Sequence, residues 1–144
     1  MVAYADTSFL VSLYGQDANS GPAQELAAAS AVPFAFTPLL RHEARNAVRL
    51  ALFRQEITGD ECRAVIAAID ADVRAGVLMA IPCAWEEVYA RGEAFSAAHT
   101  NELGTRASDL LHVASAVVLG VELFLTFDRR QKALAEKVGL VVRP

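Results

Sequence analysis

The 144-residue chain has only two cysteines, Cys62 and Cys83, and their spacing fits neither a metal-ligand pair nor a redox pair. Structural thiols in a reducing compartment are the plain expectation, and the expected location is cytoplasmic. No basic excess is present: the formal net charge is -4. That argues against a bulk basic nucleic-acid binder, although a local basic strip can still steer a polyanion. The aromatic residues Tyr4, Tyr14, Trp85 and Tyr89 do not alternate with basic ones, so no base-stacking platform is indicated. Long apolar runs are missing too. The longest uncharged stretch, between Glu25 and Arg41, is too short to span a bilayer and carries Pro33 and Pro38. No basic segment precedes an apolar one at the N-terminus, so neither a secretory signal nor a membrane partner is expected. Linkers, charge blocks and repeats are also lacking, which leaves a single domain over residues 1–144. With 54% hydrophobic residues, such a domain can build an ordinary core.

What is present is an alternation of short β runs with longer helical ones, the pattern of an α/β domain with a mostly parallel sheet. Strands are expected at residues 2–5, 34–36, 77–81, 122–127 and 140–142. Helices are expected at 7–14, 21–29, 37–55, 58–76, 84–98, 108–119 and 129–137. Pro22 and Pro38 lie near helix starts, where proline is tolerated. Thr58 and Glu61 spell a capping box, and Gly76 and Gly120 mark stops. The segment HTNELGT, 99–105, reads as a loop. About five strands flanked by about seven helices result.

Four acids stand apart from the other Asp and Glu residues, which suit solvated faces or caps. Asp6 closes the first strand and Asp128 closes LFLTF. If these strands are parallel neighbours, both acids point into the crevice outside the strand ends. Helix N-capping is the competing explanation for each. Glu43 lies along or beside the apolar stripe Leu40, Ala44, Ala47, Ala51, where a carboxylate needs a compensating charge, donor or metal; a border position reaching solvent is the alternative. Asp109 opens the apolar helix DLLHVASAVVLG, where it could complement the helix dipole or pair with Arg106.

Carboxylates clustered without Cys or His partners suit hard cations such as Mg²⁺ or Mn²⁺. A cation there removes the mutual repulsion of the acids, and phosphodiester hydrolysis is the natural reaction for such a site. Thr7, Ser8 and Thr126 would orient ligands or waters behind the acids, or else serve as local turn and capping hydroxyls.

The order ADTSFLVSLY, HEARNAVRL, RASDLLHVASAVVLG and FLTFDRRQKALAEKVGLVV resembles the PIN-domain family. More narrowly, it is similar to the VapC-type toxins of prokaryotic toxin–antitoxin pairs, from Met1 to about Val142. The resemblance implies a single PIN-like domain and a metal-dependent endoribonuclease acting on RNA. It also implies Mg²⁺ or Mn²⁺ held by Asp6, Glu43, Asp109 and Asp128, the acids selected above on chemical grounds. A homodimer and a small cognate antitoxin that inserts a segment into the groove are implied as well.

Arg41, Arg45 and Arg49 recur every four residues on the helix that carries Glu43, as a solvated face, a phosphate-contacting strip or an antitoxin contact. Arg129 and Arg130 follow Asp128 directly and could hold RNA near the metal, or lie exposed. His112, within an apolar helix, reads as a hydrogen-bonded core histidine rather than a general base. His42 and His99 lack zinc spacing. Two rivals remain: a PIN-fold nuclease outside toxin–antitoxin systems, and a non-catalytic interaction domain whose acids are caps and salt bridges. An aspartyl phosphatase would need an acid two residues after Asp6, where Ser8 stands. A phospho-receiver domain would need a lysine at a late strand end, where Asp128 stands.

Overall fold

In the computed structural model, which describes residues 1–144 throughout, the apolar N-terminus forms β1 (Tyr4–Ala5), parallel to β4 (Leu123–Leu125). The last strand, β5 (Val141–Arg143), adds in parallel to the far side of β4. A second parallel pair joins β2 (Phe34–Phe36) to β3 (Leu78–Ala80). The two sheets meet at an Ala3–Phe34 bridge, where Ala3 N donates to Pro33 O (3.0 Å) and Ala35 N to Ala3 O (2.8 Å). The expected five strands are therefore present as three plus two, running β3-β2-β1-β4-β5 across the bridge. Strand order reverses between β1 and β4, so the crevice outside their carboxyl ends is the ligand position of such a sheet.

The helices are α1 (Thr7–Tyr14), α2 (Ser20–Ala29), α3 (Pro38–Phe53), α4 (Gly59–Ala75), α5 (Trp85–Phe95), α6 (Asn101–Leu103), α7 (Ala107–Val118) and α8 (Arg129–Lys137). A π-helical turn at Ser96–Thr100 joins α5 to α6 without a break, so that these segments count as one of seven helices. This corrects the loop expected at 99–105. Leu103 packs on the core, the Thr100 and Thr105 hydroxyls meet at 2.7 Å, and only Gly104, at φ 64°, closes the helix. β1, β3 and β4 are shorter than expected, while β2 has the expected bounds and β5 is shifted by one residue. The capping box at Thr58 and Glu61 forms as expected.

Register places Tyr4 opposite Phe124, and the two rings stack at 5.4 Å with only 4° between their planes. Phe9 stacks on Phe127 at 5.5 Å, carrying the apolar layer out to the strand ends. Around them Leu10, Phe34, Leu40, Ile69, Leu78, Leu125 and Leu134 are fully buried. Each such side chain contributes roughly 1.5–3 kcal/mol of burial. At the far end of α1 the Tyr14 hydroxyl donates to Asp72 on α4 at 2.5 Å, and this bond with burial drives the phenol pKa far upward. Tyr14→Phe is expected to cost about 1–2 kcal/mol, read as a lower urea midpoint with unchanged slope.

No helix is long and apolar enough to cross a membrane. Both cysteines are free.

Candidate active site

The parallel pairing of β1 with β4 delivers Asp6 and Asp128 to the same end of the sheet. Each is also a helix N-cap, so capping and crevice prove to be one arrangement. Asp6 accepts from Phe9 N at 2.9 Å, and Asp128 from Arg130 N (2.8 Å) and Gln131 N (3.1 Å). An acid that follows a strand and caps the next helix is held on both sides, which fixes its carboxylate.

Asp6 is fully buried. Burial raises its pKa, against the opposing hydrogen bonds from Thr126, Ser8 and the Phe9 amide. Thr126 donates to its Oδ2 at 2.5 Å and Ser8 to its Oδ1 at 2.7 Å. Both hydroxyls reach further along the strand end: Thr126 accepts from Asp128 N (2.9 Å) and Ser8 from Phe127 N (3.0 Å). They thus hold the two acid-bearing turns in register.

Glu43 enters from α3. Its Oε1 accepts from Thr7 at 3.3 Å, and its carboxylate meets His112 Nε2 at 2.9 and 3.2 Å. Partial burial pushes the Glu43 pKa up, but His112 together with Thr7 and His42 outweighs it, and the net shift is downward. The Nδ1 of His112 lies 2.9 Å from the hydroxyl of fully buried Tyr4. Burial, with Cys83 and Asp6 nearby, pushes the Tyr4 phenol well up, so it stays neutral and donates. A phenol that donates to Nδ1 leaves the neutral imidazole's proton on Nε2, pointing at Glu43. His112 is the core histidine read from the sequence, and it also holds a site acid.

Asp109 lies on the same face of α7 as His112, three residues earlier, and is completely buried. The expected pairing with Arg106 is present. Asp109 Oδ2 accepts from Arg106 N (2.8 Å) and Nε (3.2 Å), and Oδ1 from Arg106 Nη2 (3.2 Å). The same Nη2 reaches Asp128 Oδ2 at 3.1 Å. Hydrogen bonds to Asp109 above all raise the guanidinium pKa further. Buried Gln131, on α8, adds its Nε2 to Asp109 Oδ1 at 3.3 Å, while its own Oε1 has no partner. Gln131 and Arg106 were not singled out as site residues from the sequence. An Arg-x-x-Asp spacing at a helix start was the available signal for Arg106; for Gln131 there was none.

All four acids fall on one closed circuit. It runs along the backbone from Asp6 to Thr7, by hydrogen bonds to Glu43 and His112, along α7 to Asp109, across Arg106 to Asp128, and from the Asp128 amide through Thr126 back to Asp6. The donor chemistry fits a hard divalent cation: carboxylate oxygens, hydroxyls and one unpaired buried amide oxygen, with no thiolate and both His112 nitrogens engaged. With Arg106 seated between Asp109 and Asp128, however, no three acid, His or Cys side chains converge on one point.

The arginine stripe sits elsewhere. Arg45 forms a fork to Asp70 on α4 at 3.0 and 3.2 Å, and Arg41 lies 3.9 Å from the same carboxylate. Residues two apart on a helix point about 200° apart, so the stripe turns away from Glu43 and the crevice. Arg129 and Arg130 are exposed at the start of α8, beside Asp128, and enter no ion pair.

The fold and the acids at its strand ends define a PIN domain. The PIN-domain family model matches residues 3–137, and the chain belongs to that family. Among solved structures it is similar to the Mycobacterium tuberculosis toxin VapC20, a sarcin-ricin loop cleaving toxin. The two are 23% identical over 99% of each chain, with a TM-score of 0.71. It is also similar to a chain of VapBC2 from Rickettsia felis, solved bound to a fragment of promoter DNA. Here identity is 15% over 99% of this chain and 98% of the other, with a TM-score of 0.59. No curated protein matches the chain.

Proposed function

We propose that this protein is a metal-dependent endoribonuclease and the toxin of a type II toxin–antitoxin pair. The observation that carries the chemistry is the closed circuit holding Asp6, Glu43, Asp109 and Asp128 at the switch point of the sheet. The RNA-cleaving toxin similar to it over its whole length supports the substrate class, and the VapBC2 complex supports a cognate antitoxin.

Asp6, Asp109 and Asp128, with Glu43, would hold Mg²⁺ or Mn²⁺. Such an ion supplies an activated water and neutralises charge on the phosphoryl oxygens. The residues of the chain supply position and proton handling. Ser8 and Thr126 fix the Asp6 carboxylate. Glu43, kept ionised by His112 and Thr7, is placed to accept a proton from the attacking water. Arg129 and Arg130, unpaired and next to Asp128, are the groups nearest to hand for backbone phosphates of the RNA. Arg41 and Arg49, remote from the crevice, suit the antitoxin or a second copy in a homodimer better than the scissile phosphate.

Purified protein incubated with total RNA is expected to cleave with Mg²⁺ or Mn²⁺ and to stop on addition of EDTA. Restored cleavage after excess Mn²⁺ completes the test. Cleavage that persists in EDTA would sink the metal-dependent mechanism.

A further inference from the structure

The positive charge between Asp109 and Asp128 comes from the chain itself. The Arg106 side chain is 56% exposed, yet it bonds to an Asp109 carboxylate that is wholly buried. Its contacts have a particular distribution. Asp128 uses Oδ1 to cap α8 through the Arg130 and Gln131 amides, and Arg106 takes the remaining oxygen, Oδ2. Asp109 is bonded independently by the Arg106 backbone amide and by Gln131 Nε2. If the guanidinium swings away, each carboxylate is still held by these other donors, while Asp128 Oδ2 is freed and each Asp109 oxygen keeps one donor. Gln131, whose Nε2 bonds Asp109, has a buried Oε1 with no hydrogen-bond partner while the guanidinium is in place. A cation with its water shell can serve that acceptor as well as both carboxylates.

We propose that Arg106 and the divalent ion occupy the Asp109–Asp128 pair alternately. In the metal-free protein the guanidinium is the resident counter-ion; when the ion binds, the side chain moves out to solvent. This inference rests on the metal-dependent reading above. It makes Arg106 a positioning residue that keeps two acids apart from each other's repulsion while the site waits, at the cost of weaker metal binding. Exposure of the side chain keeps that cost modest, since a solvated guanidinium exchanges readily.

Calorimetric titration with Mn²⁺ tests it, on the wild type, Arg106→Gln, Arg106→Lys and Asp109→Asn. Arg106→Gln is expected to bind Mn²⁺ about 3- to 10-fold more tightly than the wild type. Arg106→Lys, which keeps the charge but loses the fork, is expected to fall between them. Equal or weaker binding by Arg106→Gln, with binding lost in Asp109→Asn, overturns the alternation and leaves the metal site standing. Absence of Mn²⁺ binding in wild type and Arg106→Gln alike overturns both. The wild type also provides a measurement that needs no variant. The Arg106 Nε–H resonance, hydrogen-bonded in the metal-free protein, is expected to move to a solvent-exposed position as Mg²⁺ is added. An unmoved Arg106 resonance in a sample whose Asp109 amide has shifted overturns the proposal.

Discussion

Asp6→Asn is expected to lower RNA cleavage by about 100- to 1000-fold while leaving the fold as stable as the wild type or more so. The loss follows from removing a charged oxygen donor whose position is fixed by Ser8, Thr126 and the Phe9 amide. The gain in stability follows from the sign of the pKa shift. Burial raises the Asp6 pKa, so the folded state binds its proton more tightly than the unfolded chain does. Above the ordinary carboxylate range the ionised group therefore costs stability, and the cost grows until pH passes the folded value. An asparagine keeps an acceptor for Phe9 N and Ser8, donates its amide to Thr126 Oγ1, whose own proton can turn to Ser8 Oγ at 3.4 Å, and carries no charge. Thermal melts of the metal-free proteins should put Asp6→Asn at or above wild type at neutral pH. The gap should close as pH falls below the ordinary carboxylate pKa. A variant that melts well below wild type at neutral pH would show that the carboxylate stabilises the fold.

His112→Leu is expected to be the most damaging single change to stability among the site residues, at about 3 kcal/mol. It strips the buried Tyr4 hydroxyl of its Nδ1 partner and removes the two closest contacts to the Glu43 carboxylate. The Tyr4 hydroxyl is the costlier loss, since Tyr4 is fully buried with only the Ser115 and Thr37 side chains left as partners, while Glu43 still reaches solvent. Combining His112→Leu with Tyr4→Phe should restore part of the lost stability, because the hydroxyl left without its Nδ1 partner then disappears. Cleavage should not recover in that double variant, as Glu43 still lacks the donor that orients it. Denaturant midpoints of the four proteins in this cycle give the coupling directly. Strictly additive losses would mean that Tyr4 and His112 act independently.

Most of the acids were legible because each breaks a pattern. Asp6 and Asp128 end apolar strand runs, Asp109 opens an apolar helix, and Glu43 interrupts the inner stripe of α3. The resemblance to the PIN family then joined them. What linked them in space was not legible. His112 finds Glu43 across 69 positions of sequence, a pairing set by how α7 lies against α3 rather than by any local spacing. Gln131 reads as an ordinary polar residue in an exposed helix and is buried only because α8 packs on α7. The arginine stripe was legible in its period and in the solvated face that was one of its readings; only the helix phase that turns it from Glu43 toward Asp70 was not. The segment 99–105 looked like a loop because its polar residues outweigh one apolar anchor, Leu103.

The site is also late to exist. Its first acid follows the first strand and its last the fourth, and those strands, more than a hundred residues apart, must pair before the acids meet. While Asp128 is still inside the exit tunnel, a growing chain has Asp6 without Thr126 and Glu43 without a completed circuit. Long-range strand pairing, which ordinarily only slows folding, here also sets when the buried Asp6 carboxylate gains the Thr126 hydroxyl that fixes it.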